Sequence, residues 1–317
     1  MRFKIILRIL KETYTGWSEH KDSRLAAALA YYTVFSLAPL LILVIAIAGT
    51  VLGEEAARGQ VVDQLEQLVG TQGAEVIETV IAGAGKPGKA AGMLASAISL
   101  GVLIFGATGV FIQLQDALNT IWEVAPRPER NLKTFIFSRF LSFGMVMGIA
   151  FMLLVSLVIS AALAFLSDFL GRLAPGIGFI WSIVNICISF GVITLLFALM
   201  FKYLPDVKIK WGDVIIGAVI TASLFTIGKY LIGLYLGTST FSSAYGAAGS
   251  LVVLLFWIYY SAQIIFLGAE FTQVYARHYG SKIQPADYAV FVTEDARAQQ
   301  GIVSKGVFAA SEKQNPK

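Results

Sequence analysis

The chain has 317 residues, of which 57% are hydrophobic and 14% charged, with a net charge of +4 and a mean hydropathy of +0.74. Soluble domains carry about 25% charged residues, so this composition excludes that class and describes an integral membrane protein. The basic residues are spread over several polar segments, which argues against a nucleic-acid surface. A lone Cys187 with only His20 and His278 provides no disulfide and no expected metal site or cofactor.

At the amino terminus, "RFKIILRILKETYTGW" places Phe3, Ile6, Leu10, Tyr14 and Trp17 at helical spacing, with Arg2, Lys4, Arg8 and Lys11 elsewhere. Residues 1–24 therefore read as an interfacial amphipathic helix. A signal peptide does not fit, because the basic residues continue through the stretch and no small-residue cleavage site follows.

Six apolar runs come next: Leu25–Leu52, Met93–Ile112, Phe135–Phe165, Ile177–Phe201, Gly212–Leu236 and Ala247–Tyr275. Each is long enough to cross a hydrocarbon core of about 30 Å as a helix, and none alternates as a strand would. The expected fold is all-α: a six-helix membrane domain over 25–279 with an outer loop at 53–92, then a polar tail over 280–317 that carries no motif and suits disorder. Of the 24 Lys and Arg, 18 lie between alternate runs together with both termini, and 4 lie on the opposite side. By the positive-inside rule both termini are cytoplasmic.

Polar groups within the runs are costly in hydrocarbon, so they carry the functional signal. In "LAYYTVFSLAPLL", Tyr31, Tyr32 and Ser36 precede Pro39, which removes an amide and leaves the Phe35 carbonyl without its helical partner. In the last run, Tyr260 and Gln263 reach the same depth as Tyr32 and Ser36 at about 1.5 Å per residue. These six residues form either one polar pathway between the first and sixth spans or a set of structural interhelical hydrogen bonds.

The second run ends in "QLQDALNTIW", with Gln113, Asp116 and Asn119 on one face. Asp116, Asn119 and Glu270 stand at the level where Arg139 enters the third run, which suits an inner gate or an interfacial salt bridge. Gly144, Gly148, Ser156, Ser160 and Ala164 form a small-residue stripe for close helix approach in the third run. Lys229 is placed to snorkel to the outer surface or to meet an anionic headgroup, beside Tyr245 and Gly246 in an uncharged connection.

The segments "AAALAYYTVFSLAPLL", "QDALNTIWEV", "YLPDVKIKWGDVIIGA", "SSAYGAAGS" and "WIYYSAQIIFLGAEF", in this order over Asp22 to Tyr279, resemble the YihY/BrkB family of bacterial inner-membrane proteins (UPF0761-type). The resemblance implies a six-helix, multi-pass inner-membrane protein without an established activity, once labelled ribonuclease BN. The residues do not support a nuclease or another enzyme: the two histidines are far apart in sequence and the carboxylates are not grouped as general acid–base or metal-assisted cleavage requires. Two classes remain. One is a transporter or lipid translocator with membrane lipids, a lipid headgroup or a small solute as partner. The other is an envelope scaffold that binds partner proteins, and homo-oligomer formation is compatible with both. Nothing matches a phosphate-binding G-x-x-x-x-G-K-[ST] loop, so transport would draw on a gradient or another chain.

Overall fold

The computed structural model describes residues 2–53, 55–59, 61–63, 78, 109–127, 178–238, 247–280 and 283–293. Most of the loop 53–92, most of the second run, the third run with its small-residue stripe, Arg139, Tyr245 and Gly246 lie outside the described residues.

The helices described over the first, fourth, fifth and sixth apolar runs follow those runs closely. α1 is Arg2–Glu19 and α2 is Asp22–Leu52, continuous through Pro39. Residues 109–121 form α3. α4 is Gly178–Tyr203, α5 Trp211–Thr238 and α6 Ala247–His278. Among the described residues, three helical segments are long and apolar enough to cross a membrane: Ile186–Tyr203, Trp211–Ile232 and Val252–His278. They expose Ile186, Leu195, Ile216, Ile227 and Leu231 on the outside of the bundle, a surface that hydrocarbon stabilises and water does not.

The core is an aromatic and aliphatic cluster shared by α3 to α6, with Leu118, Ile121, Trp122, Phe201 and Phe266 almost wholly buried. α5 packs on both α4 and α6, while α2 and α1 pack along α6. Between α5 and α6 the approach is reciprocal. A methyl group added at Gly217 would lie 2.8 Å from Thr272 Cβ, and one added at Gly268 would lie 2.8 Å from Thr221 Cβ. Each threonine donates its hydroxyl to the carbonyl four residues back, Thr221 to Gly217 and Thr272 to Gly268, so its polar atom is satisfied within its own helix.

Beyond the helix ends, residues 283–293 of the polar tail are ordered into short strands, and residues 294–317 lie outside the described residues. β1, Val124–Pro126, pairs antiparallel with β4, Ala289–Phe291, and β2, Val207–Lys208, pairs with β3, Gln284–Pro285. Strands of two or three residues leave no periodic pattern to read, and their partners are distant in sequence. The pairs tie residues 283–293 across the ends of α3 and α4. Asp206, buried just before β2, accepts hydrogen bonds from Gln115 and Asn119 of α3 and from Tyr288 Oη, and its own amide donates to Asn119 Oδ1.

α1 lies against α6. It turns Ile9, Thr13 and, just past its end, His20 inward, and leaves Ile6, Leu10 and Tyr14 exposed. These three belong to the apolar stripe that the helical spacing predicted, whereas Trp17 of the same stripe is half-buried and bonded to Gln263.

Candidate functional site

The α1–α2 turn is tight because Lys21 adopts the left-handed conformation, with φ 57° and ψ 45°. A non-glycine residue takes this conformation at a local energetic cost. The result is that His20 and Asp22, on either side of it, both face the bundle.

There they meet Glu270 of α6. The imidazole Nδ1 of His20 and Glu270 Oε1 are 2.5 Å apart, and Glu123 Oε1 stands 3.7 Å from Nε2. At that distance Glu123 acts as a nearby charge and not as a hydrogen-bond partner. His20, Asp22 and Glu270 are all buried. Among the described residues, His20 Nε2, both carboxylate oxygens of Asp22 and Glu270 Oε2 have no hydrogen-bond partner.

Burial by itself would pull the His20 imidazole down, but the carboxylates of Glu123, Glu270 and Asp22 outweigh it and raise its pKa to about 9. Asp22, ahead of the apolar run, is pushed up to about 8 by burial and by the Glu270 carboxylate, against the opposing charge of His20.

Gly16 of α1 allows the close approach of Glu270, whose Cδ would lie 3.1 Å from a methyl group added there. One turn away, Trp17 Nε1 donates to Gln263 Oε1 at 3.1 Å. The cluster opens into a cavity of about 600 Å³, lined also by Arg8, Lys11, Glu12, Gln273, Arg277 and His278. At its rim Glu12 accepts hydrogen bonds from both Arg8 and His278.

The structure distributes the residues singled out in the sequence among several places. α2 does pack along α6. Gln263, however, is engaged by Trp17, and the Tyr260 ring lies against Gly228 of α5, whose added methyl would stand 2.8 Å from Cε1. Ser36 is buried with its Oγ against Gly109 of α3, Pro39 is half-buried, and Tyr31 and Tyr32 are exposed on the outer surface in edge contact with each other. A shared depth on two helices does not fix which neighbour each face turns to.

Asn119 is also placed elsewhere: it clamps Asp206 and does not join Glu270, while Asp116 is exposed. The partner found for Glu270 is His20, with Arg139 outside the described residues. Lys229 is half-buried, with its ammonium 5.9 Å from the Tyr230 ring centre. His20, Asp22 and Trp17 were not legible as site residues. The one signal for His20 and Asp22 was the polar "SEHKDS" between two helical stretches, and Trp17 read only as part of the apolar stripe of α1.

His20, Asp22 and Glu270 could hold a metal ion, since each offers a ligand atom within 4.8 Å of the other two.

Comparison with known proteins places this geometry in context. The chain matches the family described as virulence factor BrkB over residues 13–290, from the inward face of α1 into β4. A UPF0761 membrane protein of Psychrobacter sp. (strain PRwf-1) is 28% identical over 266 residues, covering 80% of this chain and 47% of that relative. UPF0761 membrane proteins of Stenotrophomonas maltophilia (strain R551-3) and Xanthomonas oryzae pv. oryzae (strain PXO99A) are 28% and 29% identical, over 80% of this chain and 58% of each relative. The chain thus spans about half the length of these relatives. No solved structure matches it. The match encloses His20, Asp22, Asn119, Asp206 and Glu270 together with the helices that position them, and the chain belongs to the BrkB family of membrane proteins.

Proposed function

We propose that the chain is a six-span bacterial inner-membrane transporter or lipid translocator, with both termini cytoplasmic and the passage running along α2 and α6. The observation that carries this reading is the buried cluster of His20, Asp22 and Glu270 at the foot of the α2–α6 contact, of which His20 and Glu270 line a cavity of about 600 Å³. Ionisable groups held away from water at the end of a span typically mark ion or substrate routes. The rim mixes Arg8, Lys11 and Arg277 with Glu12 and Glu123, a lining suited to a zwitterionic or other polar headgroup. The His20–Glu270 contact joins the α1–α2 turn to α6 at the mouth of that cavity.

For the test, the purified protein is reconstituted in liposomes and the movement of fluorescent phosphatidylethanolamine and of small ions is followed. Wild type should move one of them. Ser36→Ala and Gln263→Leu each remove one polar group, worth about 0.6 kcal/mol in measured intramembrane hydrogen bonds, so both variants should fold yet move it at least several-fold more slowly. Unchanged rates in both would remove these residues from the route. A non-enzymatic envelope scaffold is the competing reading, favoured by the Trp17–Gln263 bond as an assembly contact. It forecasts no movement of lipid or ion by wild type.

The orientation rests on Arg8, Lys11, Lys202, Lys208, Lys210 and Arg277 standing at the bundle end that carries α1 and both strand pairs. Single cysteines at Gln72, Ser242 and Lys305, introduced with Cys187→Ser, should react with an impermeant thiol reagent in intact spheroplasts at the first two positions only. Labelling of Lys305→Cys would reverse the orientation.

A further inference from the structure

Two independent features coincide at the α1–α2 turn. The first is composition and spacing: one imidazole and two carboxylates place ligand atoms within 4.8 Å of one another. The second is incomplete satisfaction. Asp22 is fully buried with neither oxygen hydrogen-bonded among the described residues, and Glu270 Oε2 beside it is in the same condition. Buried carboxylates in a purely structural ion pair are normally saturated, because each unpaired oxygen keeps its full desolvation penalty.

We propose that His20, Asp22 and Glu270 bind one divalent first-row transition-metal ion, which staples the α1–α2 turn to α6. A neutral imidazole and two carboxylates carry two negative charges, which one such ion neutralises. The mixed nitrogen and oxygen donors suit zinc or manganese, whereas magnesium and calcium take all-oxygen sets.

The geometry is close to closure. Two ligands each bound at 2.0–2.2 Å stand at most about 4.4 Å apart, so rotations of a few tenths of an ångström bring the three donors onto one ion. His20 Nδ1 and Glu270 Oε1, now 2.5 Å apart, separate slightly to admit it. Glu123 Oε1, 3.7 Å from His20 Nε2, acts on the imidazole's other nitrogen as a nearby negative charge. The left-handed Lys21 is what turns the short H-x-D spacing into two converging donors.

The assignment is independent of the transport reading, since its readout is metal content. Full-length protein in detergent is stripped with a chelator, equilibrated with Zn²⁺ alone or Mn²⁺ alone, desalted, and analysed for metal by mass spectrometry and for thermal stability. Wild type should retain about one equivalent of at least one of these ions and melt at a higher temperature with it, while Mg²⁺ at the same concentration has no effect. Asp22→Asn and Glu270→Gln should each weaken retention by at least about tenfold. Wild-type protein that retains neither ion and does not shift in melting temperature overturns the proposal, whether or not the variants fold. Equal retention by a folded Asp22→Asn variant does so as well.

Discussion

His20→Leu is expected to destabilise the chelator-treated, detergent-solubilised protein by about 3–5 kcal/mol, the range for removing one partner of a buried ion pair. Among the described residues the imidazole is the hydrogen-bond partner of Glu270 Oε1, 2.5 Å away, and Glu270 is buried. What the substitution leaves behind is a carboxylate that must either stay charged in a low-dielectric site or take up a proton. Adding Glu270→Met removes that carboxylate and fills its volume, so the double variant should recover at least half of the loss. Replacing a whole buried pair by apolar side chains is often neutral, whereas breaking one is not. Denaturation of the two single variants and the double variant measures the coupling, and strict additivity would show that His20 and Glu270 do not act as a pair.

A smaller loss should follow from adding one methyl group at the α5–α6 crossing. Gly217→Ala would place its Cβ 2.8 Å from Thr272 Cβ and 2.9 Å from Thr272 Cγ2, and Gly268→Ala would do the same against Thr221. These contacts involve the stiff base of a β-branched side chain in a packed interface, so the helices must separate along their length. Each substitution should lower stability by about 1–3 kcal/mol, the usual range for overpacking. Thr272→Gly in the Gly217→Ala background exchanges which helix carries the side chain and should restore part of the loss, because the Thr272 hydroxyl is bonded only within its own helix. A Gly217→Ala protein that melts at the wild-type temperature would mean that this crossing is looser than described.

Much of the local structure was legible in the sequence. Hydropathy and helical period depend on residues a few positions apart, so α4 at Gly178–Tyr203 and α5 at Trp211–Thr238 end within two residues of the runs Ile177–Phe201 and Gly212–Leu236. The amphipathic character of α1 could be read in the same way, as could the membrane class and the family, whose motifs are contiguous segments. Glu270 stood out because a carboxylate near the end of a long apolar run is expensive there. Its partner did not stand out. His20 lies 250 positions away, on a turn whose geometry depends on the left-handed Lys21.

Asn119 and Gln263 show the same division. Their polarity and depth were evident from the chain, but Asn119 turned out to clamp Asp206 and Gln263 to accept from Trp17. Sequence determined which groups needed partners in a medium that supplies none. Only the rotation and contact order of the helices, set by packing such as the Gly217–Thr272 and Gly268–Thr221 crossing, decided which partners they received. Side-chain period within one helix carries no information about the neighbour that the other face will meet.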